Sequence, residues 1–366
     1  MSETADGDFA SARPDLRELL ALAPNLHWRY SGVTSTILVL APLLARLGRV
    51  ACVGAHLPDN VPQIPFWQVL VYGWSRPVRG NFRLWHARRN DEMIVGLLLK
   101  YILRQKWKLV FTWAGQRRQS KLTRWLLSQM DAVIATSAGS ARFLEVPHKI
   151  IHHGVDLRRF EPLADRDAEW RKTGLPGGYG IGAFGRIRPQ KGTDLLVEAA
   201  IRLLPAHPDA TLLLTGLITP QNAAFVDGLK ARIEQAGLTS RILFLGEQPR
   251  EKMPFWFALV RLYVAPMRSE GFGLTPLEAM ASGTAVVATR TGAAAQLVAD
   301  GETGLLIPPD DQEALTCVIE ALLAAPEKAL AMGCKGREKA LAQHALAQEA
   351  AQILGVYEQV LGVKLN

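Results

Sequence analysis

Short runs of aliphatic and β-branched residues recur along the chain, each bounded by Gly, Pro or Asp and separated by stretches of helical length. That alternation is the mark of βαβ units and parallel sheets. In the first half the runs predict strands over Leu19–Ala23, Arg49–Gly54, Trp67–Tyr72, Lys108–Thr112, Ala132–Thr136 and Lys149–His152. In the second half they predict strands over Gly180–Gly185, Thr211–Thr215, Arg241–Leu245, Leu262–Ala265, Ala285–Ala288 and Gly304–Ile307. Two sets of six imply two similar halves. Between them Phe160–Gly178 is polar and punctuated by Gly and Pro, with one short helix around Trp170, and reads as the linker. Beyond Pro308 the pattern turns helical, Ala- and Leu-rich from Gln312 and from Pro326.

The expected organisation is therefore α/β: a Rossmann-like domain over 1–165, a second over 166–345 and a terminal helix over 346–366. Two doubly wound parallel sheets facing one another would align their strand C-terminal ends along one cleft. Ligands bind at those ends, where helix N-termini offer free N–H groups to anions. Residues that carry chemistry are therefore expected just after strands.

Composition narrows the class. The chain has 366 residues, 49% hydrophobic and 21% charged, which excludes a disordered, collagen-like or disulfide-stapled protein. Cys52, Cys317 and Cys334 lie far apart with no CxxC, so neither a disulfide framework nor a zinc site is expected. Thr36–Leu44 is too short an apolar run to span a bilayer, and Glu3, Asp6 and Asp8 stand where a secretion signal would be basic. The expectation is a soluble, non-exported chain in a reducing cytoplasm.

The net charge of +8 is unevenly placed. Between Arg76 and Arg124 thirteen Lys or Arg residues face only Asp91 and Glu92, with Trp74, Trp85, Trp107, Trp113 and Trp125 within the window or at its edges. Basic residues mixed with tryptophan suit an anionic membrane surface or an anionic substrate. A solvated basic face over core tryptophans is the plain alternative, and nucleic acid the third.

The most informative segment runs from Ala265 to Gly283 and holds Glu270 and Glu278. It follows a predicted strand, and Pro276 suits the first turn of a helix. Gly271 and Gly273 let backbone N–H groups approach a ligand closely, while Thr275 and the helix start offer an anion site; Phe272 and Leu274 complete the turn. An ionised carboxylate only accepts hydrogen bonds, so it suits the vicinal hydroxyls of a sugar or ribose. A second segment, Ala183 to Leu195, ends a strand at Gly185 and opens a helix near Thr193. Within it Arg186 offers a two-pronged donor and Lys191 a point charge, a pairing suited to a diphosphate.

These two segments resemble the nucleotide-sugar half of the retaining glycosyltransferases of family 4, which have the GT-B architecture of two facing Rossmann-like domains with a cleft between them. The Glu-x7-Glu spacing of Glu270 and Glu278 and the Gly185-Arg186…Lys191-Gly192 pair carry the likeness, which extends to Gly246-Glu-Gln-Pro, Gly283-Thr-Ala-Val-Val-Ala-Thr and Gly301-Glu-Thr-Gly-Leu-Leu-Ile-Pro-Pro-Asp. The resemblance implies that Arg186, Lys191 and Glu270 are catalytic, that Glu278 holds the ribose, and that Glu247, Gln248 and Met253 flank the nucleobase. It implies retention of the anomeric configuration with no divalent metal and no cofactor beyond the nucleotide sugar. It also implies a terminal helix that crosses back to the first domain.

In the first half, Asn25-Leu-His-Trp-Arg29-Tyr30-Ser-Gly32, Phe111-Thr-Trp-Ala-Gly-Gln116-Arg117-Arg118 and Ser137–Asp156 with His153 are similar to mannosyltransferases of lipopolysaccharide inner-core assembly in alphaproteobacteria. There Gly32 would let the chain pass close to the donor phosphates, and Arg29, Tyr30, Gln116, Arg117, Arg118 and His153 would serve the acceptor. GDP-mannose as donor, a Kdo-lipid A type anionic glycolipid as acceptor, and a peripheral position on the cytoplasmic face of the inner membrane follow from that likeness, with no nucleic acid expected. A UDP- or ADP-linked donor or another acceptor is the nearest alternative, and a basic membrane- or nucleic-acid-binding protein the non-enzyme one. Two departures stand out. Relatives often carry a histidine where this chain reads Trp113-Ala-Gly-Gln116, and a glutamate where it has Gln296.

Three patterns invite other readings. Gly180-Ile-Gly182-Ala-Phe-Gly185 fits a dinucleotide fingerprint, but its glycines lie within the predicted strand and no acid follows the next one. Asp165-Arg-Asp167 resembles a metal-binding Asp-x-Asp yet follows no strand, so it reads as a helix start. His152 and His153 are adjacent on a strand and point to opposite faces, so one is expected in the core and one toward the cleft.

Overall fold

The computed structural model describes residues 14–27, 32–55, 57 and 61–365. It divides into two compact units, Met1–Gly154 with Leu346–Asn366, and Val155–Ala345. The first holds a parallel sheet of six strands, β1 (Ala21–Asn25), β2 (Val50–Gly54), β3 (Arg83–Ala87), β4 (Trp107–Trp113), β5 (Ala132–Ala135) and β6 (Lys149–Ile150), ordered β2-β1-β3-β4-β5-β6. The second holds β7 (Tyr179–Phe184), β8 (Ala210–Thr215), β9 (Ile242–Gly246), β10 (Leu262–Ala265), β11 (Ala285–Thr289) and β12 (Leu305–Ile307), ordered β12-β11-β10-β7-β8-β9. In each sheet the chain winds outward one way and then the other, so strand order reverses between β1 and β3 and between β7 and β10. Those switch points open crevices at the strand C-terminal ends.

Strand residues alternate between two cores in the first unit. Trp85, Leu109 and Phe111 meet the Phe66–Tyr72, Asn90–Leu97 and Lys121–Ser128 helices on one face. Leu84, Val110 and Ile134 meet the Gly32–Gly48 and Leu346–Leu361 helices on the other.

Trp67–Tyr72 is helical, not a strand. Its β-branched and aromatic residues mimic a strand run, but Pro65 in extended backbone starts a helix that buries only Val69. The strand in that place in the sheet is β3, whose polar Arg83 and His86 break the apolar pattern although all five residues are buried. Both are satisfied internally. Arg83 donates from Nε to the Leu16 carbonyl at 3.0 Å and from Nη1 to the Ser75 carbonyl at 2.6 Å. His86 bridges the Tyr357 hydroxyl at 2.6 Å and the Thr112 hydroxyl at 2.7 Å. Burial pushes the Arg83 guanidinium down to about 10 and holds His86 well below its usual value.

The expected linker is also more structured than its composition implies. The division falls between Gly154 and Val155, and Phe160 and Trp170 are buried in the core of the second unit. A Cβ at Gly180 would lie 2.6 Å from the Trp170 ring, so this glycine makes room for the indole. Gly180 and Gly182 therefore serve packing within β7, while Gly185 follows the strand in the positive-φ turn. Asp165 caps the Arg166–Lys172 helix by accepting from the Ala168 N–H at 2.8 Å, and Asp167 pairs with Arg261.

Candidate active site

At the β7/β10 switch point a pocket is lined by Phe184, Gly185, Arg186, Lys191, Tyr263 and Met267 among others. Gly185 ends β7 at φ +133°, and Arg186 begins the loop exposed. The loop turns back through Pro189–Lys191 to Gly192, whose φ of +68° makes it the left-handed start of the Thr193–Leu203 helix. A Cβ there would lie 1.9 Å from the Pro266 carbonyl oxygen, so only glycine allows this backbone approach. Lys191 is thereby held beside the loop after β10. Its ammonium donates to the Glu270 carboxylate and lies 3.6 Å from the Met267 sulfur. Glu270 Oε1 also accepts from the Gly271 N–H at 3.1 Å.

Gly273, at φ +93°, is the N-cap of the Leu274–Ala281 helix, so the N–H groups of its first turn are free of helical partners. Pro276 sits in that turn, where a missing N–H costs nothing, and Phe272 is buried beneath it. Thr275 is half-buried. Glu278 lies farther along the helix, half-buried at its surface. Desolvation pushes its carboxyl up to about 7, against the opposing charges of Arg159 and Arg250. Those two are coupled, Arg159 donating to the Arg250 carbonyl. A free helix N-terminus, the cations Arg186 and Lys191 and the carboxylates Glu270 and Glu278 therefore share one end of one sheet.

The nucleobase-side residues divide. Gln248 folds back, donating to the Leu245 carbonyl at 2.7 Å and accepting from the Trp256 indole at 3.2 Å; Met253 packs on the core, and Glu247 is exposed. Gln296 lies on the Ala294–Leu297 helix, and its buried Oε1 has no partner among the described residues.

In the first unit Gly32 opens the Gly32–Gly48 helix, and Gln116, Arg117 and Arg118 follow β4, the two arginines exposed. Arg29 and Tyr30 lie outside the described residues. His153 is buried and its Nδ1 lies 2.7 Å from Glu349 Oε1, while Glu349 Oε2 accepts from the Gly154 N–H at 2.7 Å. His152 is the half-buried member of the pair.

Two positioning residues were not evident from sequence. Arg268 donates twice to Asp194 at 2.8 Å, once to Asp310 and once to the Pro189 carbonyl, tying the Lys191 loop to the turn that leads into Glu270. Desolvation works against the Asp194 carboxylate, but the Arg268 hydrogen bond and charge prevail and hold it below its usual range. Arg89 donates to the buried Asn25 at 2.8 Å and to Thr34 at 2.8 Å, fixing the chain on both sides of Gly32. Arg268 lies within the Ala265–Gly283 segment and Arg89 within the basic window, but nothing in either pattern marked its partners.

Comparison with known proteins places this arrangement. Residues 165–339 match the glycosyl transferases group 1 family. The chain is 50% identical over 350 residues to the lipopolysaccharide core biosynthesis mannosyltransferase LpcC of Rhizobium leguminosarum bv. viciae, covering 95% of this chain and 99% of that one. It is 44% identical over 351 residues to the corresponding enzyme LpsB of Rhizobium meliloti, with the same coverage. Among solved structures, Anabaena Alr3699/HepE in complex with UDP and glucose superposes with a TM-score of 0.79 at 20% identity, covering 93% of this chain and 99% of that one, a likeness of fold.

Proposed function

Because the chain belongs to the group 1 glycosyltransferases, with the GT-B fold and a mannosyltransferase role in lipopolysaccharide core synthesis, we propose that it transfers mannose from GDP-mannose to a Kdo-lipid A type acceptor with retention and without a divalent metal. The observation that carries this reading is the Lys191–Glu270 pair beside the free N-terminus of the Leu274–Ala281 helix. In transfer the bond from the anomeric carbon to the diphosphate oxygen breaks and a bond to the acceptor oxygen forms. The acceptor proton passes to a phosphate oxygen as the diphosphate leaves. Arg186, Lys191 and the helix N–H groups stabilise the charge developing on that leaving group, the work a divalent cation does elsewhere. Glu270 orients the sugar, and Glu278 accepts from the ribose hydroxyls.

The acceptor is an anionic, lipid-anchored glycan, so the enzyme works against the cytoplasmic face of the inner membrane. No helix among the described residues is long and apolar enough to cross a membrane. The test is a thermal-shift panel of GDP, UDP, ADP and their sugar conjugates, followed by transfer of labelled mannose to Kdo-lipid A. Stabilisation by GDP and GDP-mannose with label in the lipid supports the reading. Stabilisation by UDP or ADP alone discards mannose from a guanosine donor.

A further inference from the structure

Of the eighteen large hydrophobic side chains exposed among the described residues, thirteen fall between Trp67 and Trp125. Ten of these lie on the helices of one layer, and Trp74, Val78 and Phe82 on the loop that follows the first of them. Val69, Met93, Leu99 and Leu126 of the Phe66–Tyr72 helix, the Asn90–Leu97 helix with its π-helical continuation Leu98–Ile102, and the Lys121–Ser128 helix enter the same core on one sheet face. The apolar residues left over therefore point away from that face. Trp67 is 54% exposed, Val71 56%, Tyr101 54%, Ile102 71% and Trp125 56%, all more than is usual on a solvated helical layer. The segments are tied to one another. The Trp74 indole donates to the Leu103 carbonyl at 2.8 Å, and Gln105 donates to the Val69 carbonyl at 3.1 Å.

The exposed charge on and beside this layer is mostly positive. Arg76, Arg79, Arg104, Lys106, Lys121 and Arg124 are exposed against Asp91, while Glu92 is buried beside Arg89, Asp131 is taken up by Lys100 and Lys108, and Arg124 lies 3.5 Å from Glu145. Lys108 lies over the Phe82 ring at 5.3 Å and Lys100 over Tyr101 at 5.5 Å. Lysine is depleted in the cores of protein interfaces, whereas tryptophan, tyrosine and lysine together are what the headgroup region of an anionic bilayer holds.

We propose that the outward side of this helical layer is a membrane-insertion surface for an anionic leaflet, with Trp67, Val71, Tyr101 and Ile102 entering the acyl boundary and the surrounding Lys and Arg meeting lipid phosphates. The proposal rests on the reading that the acceptor is lipid-anchored, and it adds that attachment is by apolar insertion rather than by charge alone. Each cation near the surface contributes to capture and is screened by salt; the inserted side chains are not.

The test uses the full chain and flotation with vesicles of phosphatidylcholine alone and of phosphatidylcholine with phosphatidylglycerol. Binding should require the anionic lipid, survive in part at 0.5 M salt, and weaken about tenfold or more in the quadruple variant Trp67→Ser, Val71→Ser, Tyr101→Ser, Ile102→Ser. Brominated acyl chains should quench wild-type tryptophan fluorescence, and circular dichroism with GDP affinity should show the variant folded. Equal binding by the variant, complete loss of wild-type binding in salt, or absence of quenching would overturn insertion. A self-associating chain that ignores vesicles would make this face a protein interface instead. Nucleotide-sugar binding, measured on the same samples, fails or succeeds separately, so a wrong donor and a wrong membrane surface give different results.

Discussion

The Lys191 ammonium is paired with the Glu270 carboxylate across two loops that follow different strands, β7 and β10. On the proposed mechanism the donor would replace this pairing, bringing phosphate oxygens to the lysine and sugar hydroxyls to the glutamate, so binding would exchange one set of partners for another.

Removing Lys191 or Arg186 should slow transfer far more than it disturbs folding. Loss of one preorganised donor to a leaving anion costs about 3–4 kcal/mol, or roughly 10² to 10³ in kcat. Lys191→Ala and Arg186→Ala, purified and assayed with donor at saturation, should show that loss with unchanged circular dichroism. Activity near that of the wild type would remove the residue from the mechanism.

If Glu278 holds the ribose as proposed, nucleotide binding should depend on pH. Its carboxyl titrates at about 7 in the folded chain against 4.5 as a free side chain, because desolvation disfavours the charge. A raised value means the folded state holds the proton between those limits; the associated stability is full below 4.5 and lost as pH rises through 7. The cost above 7 is at most ~3 kcal/mol and less where solvent reaches the group. Glu278→Gln should therefore raise the melting point at pH 8, leave it unchanged near pH 4.5, and weaken GDP binding at pH 8. Ribose hydroxyls favour the ionised carboxylate, so calorimetry of the wild type at pH 6.5 in buffers of different ionisation enthalpy should detect a released proton. No release would place the ribose elsewhere.

The second half of the chain is far more legible than the first. Its six strands are short apolar runs, five of them ending at Gly or Pro, and its chemistry sits on turns whose glycines hold positive φ, such as Gly192 and Gly273. In the first half β3 hides because Arg83 and His86 find partners that the local pattern does not show, at Ser75 nearby and at Leu16, Thr112 and Tyr357 farther off in sequence. The Phe66–Tyr72 helix hides because its apolar residues are exposed, which breaks the link between hydrophobic periodicity and burial. Arg268 and Arg89 act through pairs of contacts that only the folded chain brings together.

Gly192 fixes where Lys191 stands, so Gly192→Ala should damage the site without touching a ligand. The new Cβ would meet the Pro266 carbonyl at 1.9 Å, and the left-handed backbone adds about 1–2 kcal/mol. The expected outcome is a lower melting point together with a GDP Kd at least tenfold higher. If only stability falls, the loop finds the same place by another route.

Metal removal should leave transfer intact. If Lys191, Arg186 and the N–H groups of the Leu274–Ala281 helix supply the positive charge that the leaving diphosphate needs, as proposed, the initial rate in EDTA should match that in Mg²⁺. A strict requirement restored by added Mg²⁺ would show that these groups do not suffice.

The C-terminal helix is held to the first unit by a buried polar contact as well as by packing. Tyr357 donates to or accepts from His86 Nδ1 at 2.6 Å, with Ile353, Leu354 and Val356 in the core around it. Tyr357→Phe leaves that ring nitrogen without its partner in a site closed to solvent and should cost about 1–3 kcal/mol. His86 itself is kept neutral, first by desolvation and then by the charge of Arg88. A depressed histidine means the unfolded chain binds the extra proton below 6.5, so the stability it contributes is full above that value and is lost as pH falls. Melting points measured from pH 8 to pH 5 should drop more steeply in the wild type than in His86→Gln, in which nothing titrates at this position. Parallel slopes would assign the acid sensitivity to other groups, whereas a flattened slope would identify His86 as the residue through which acid loosens the terminal helix.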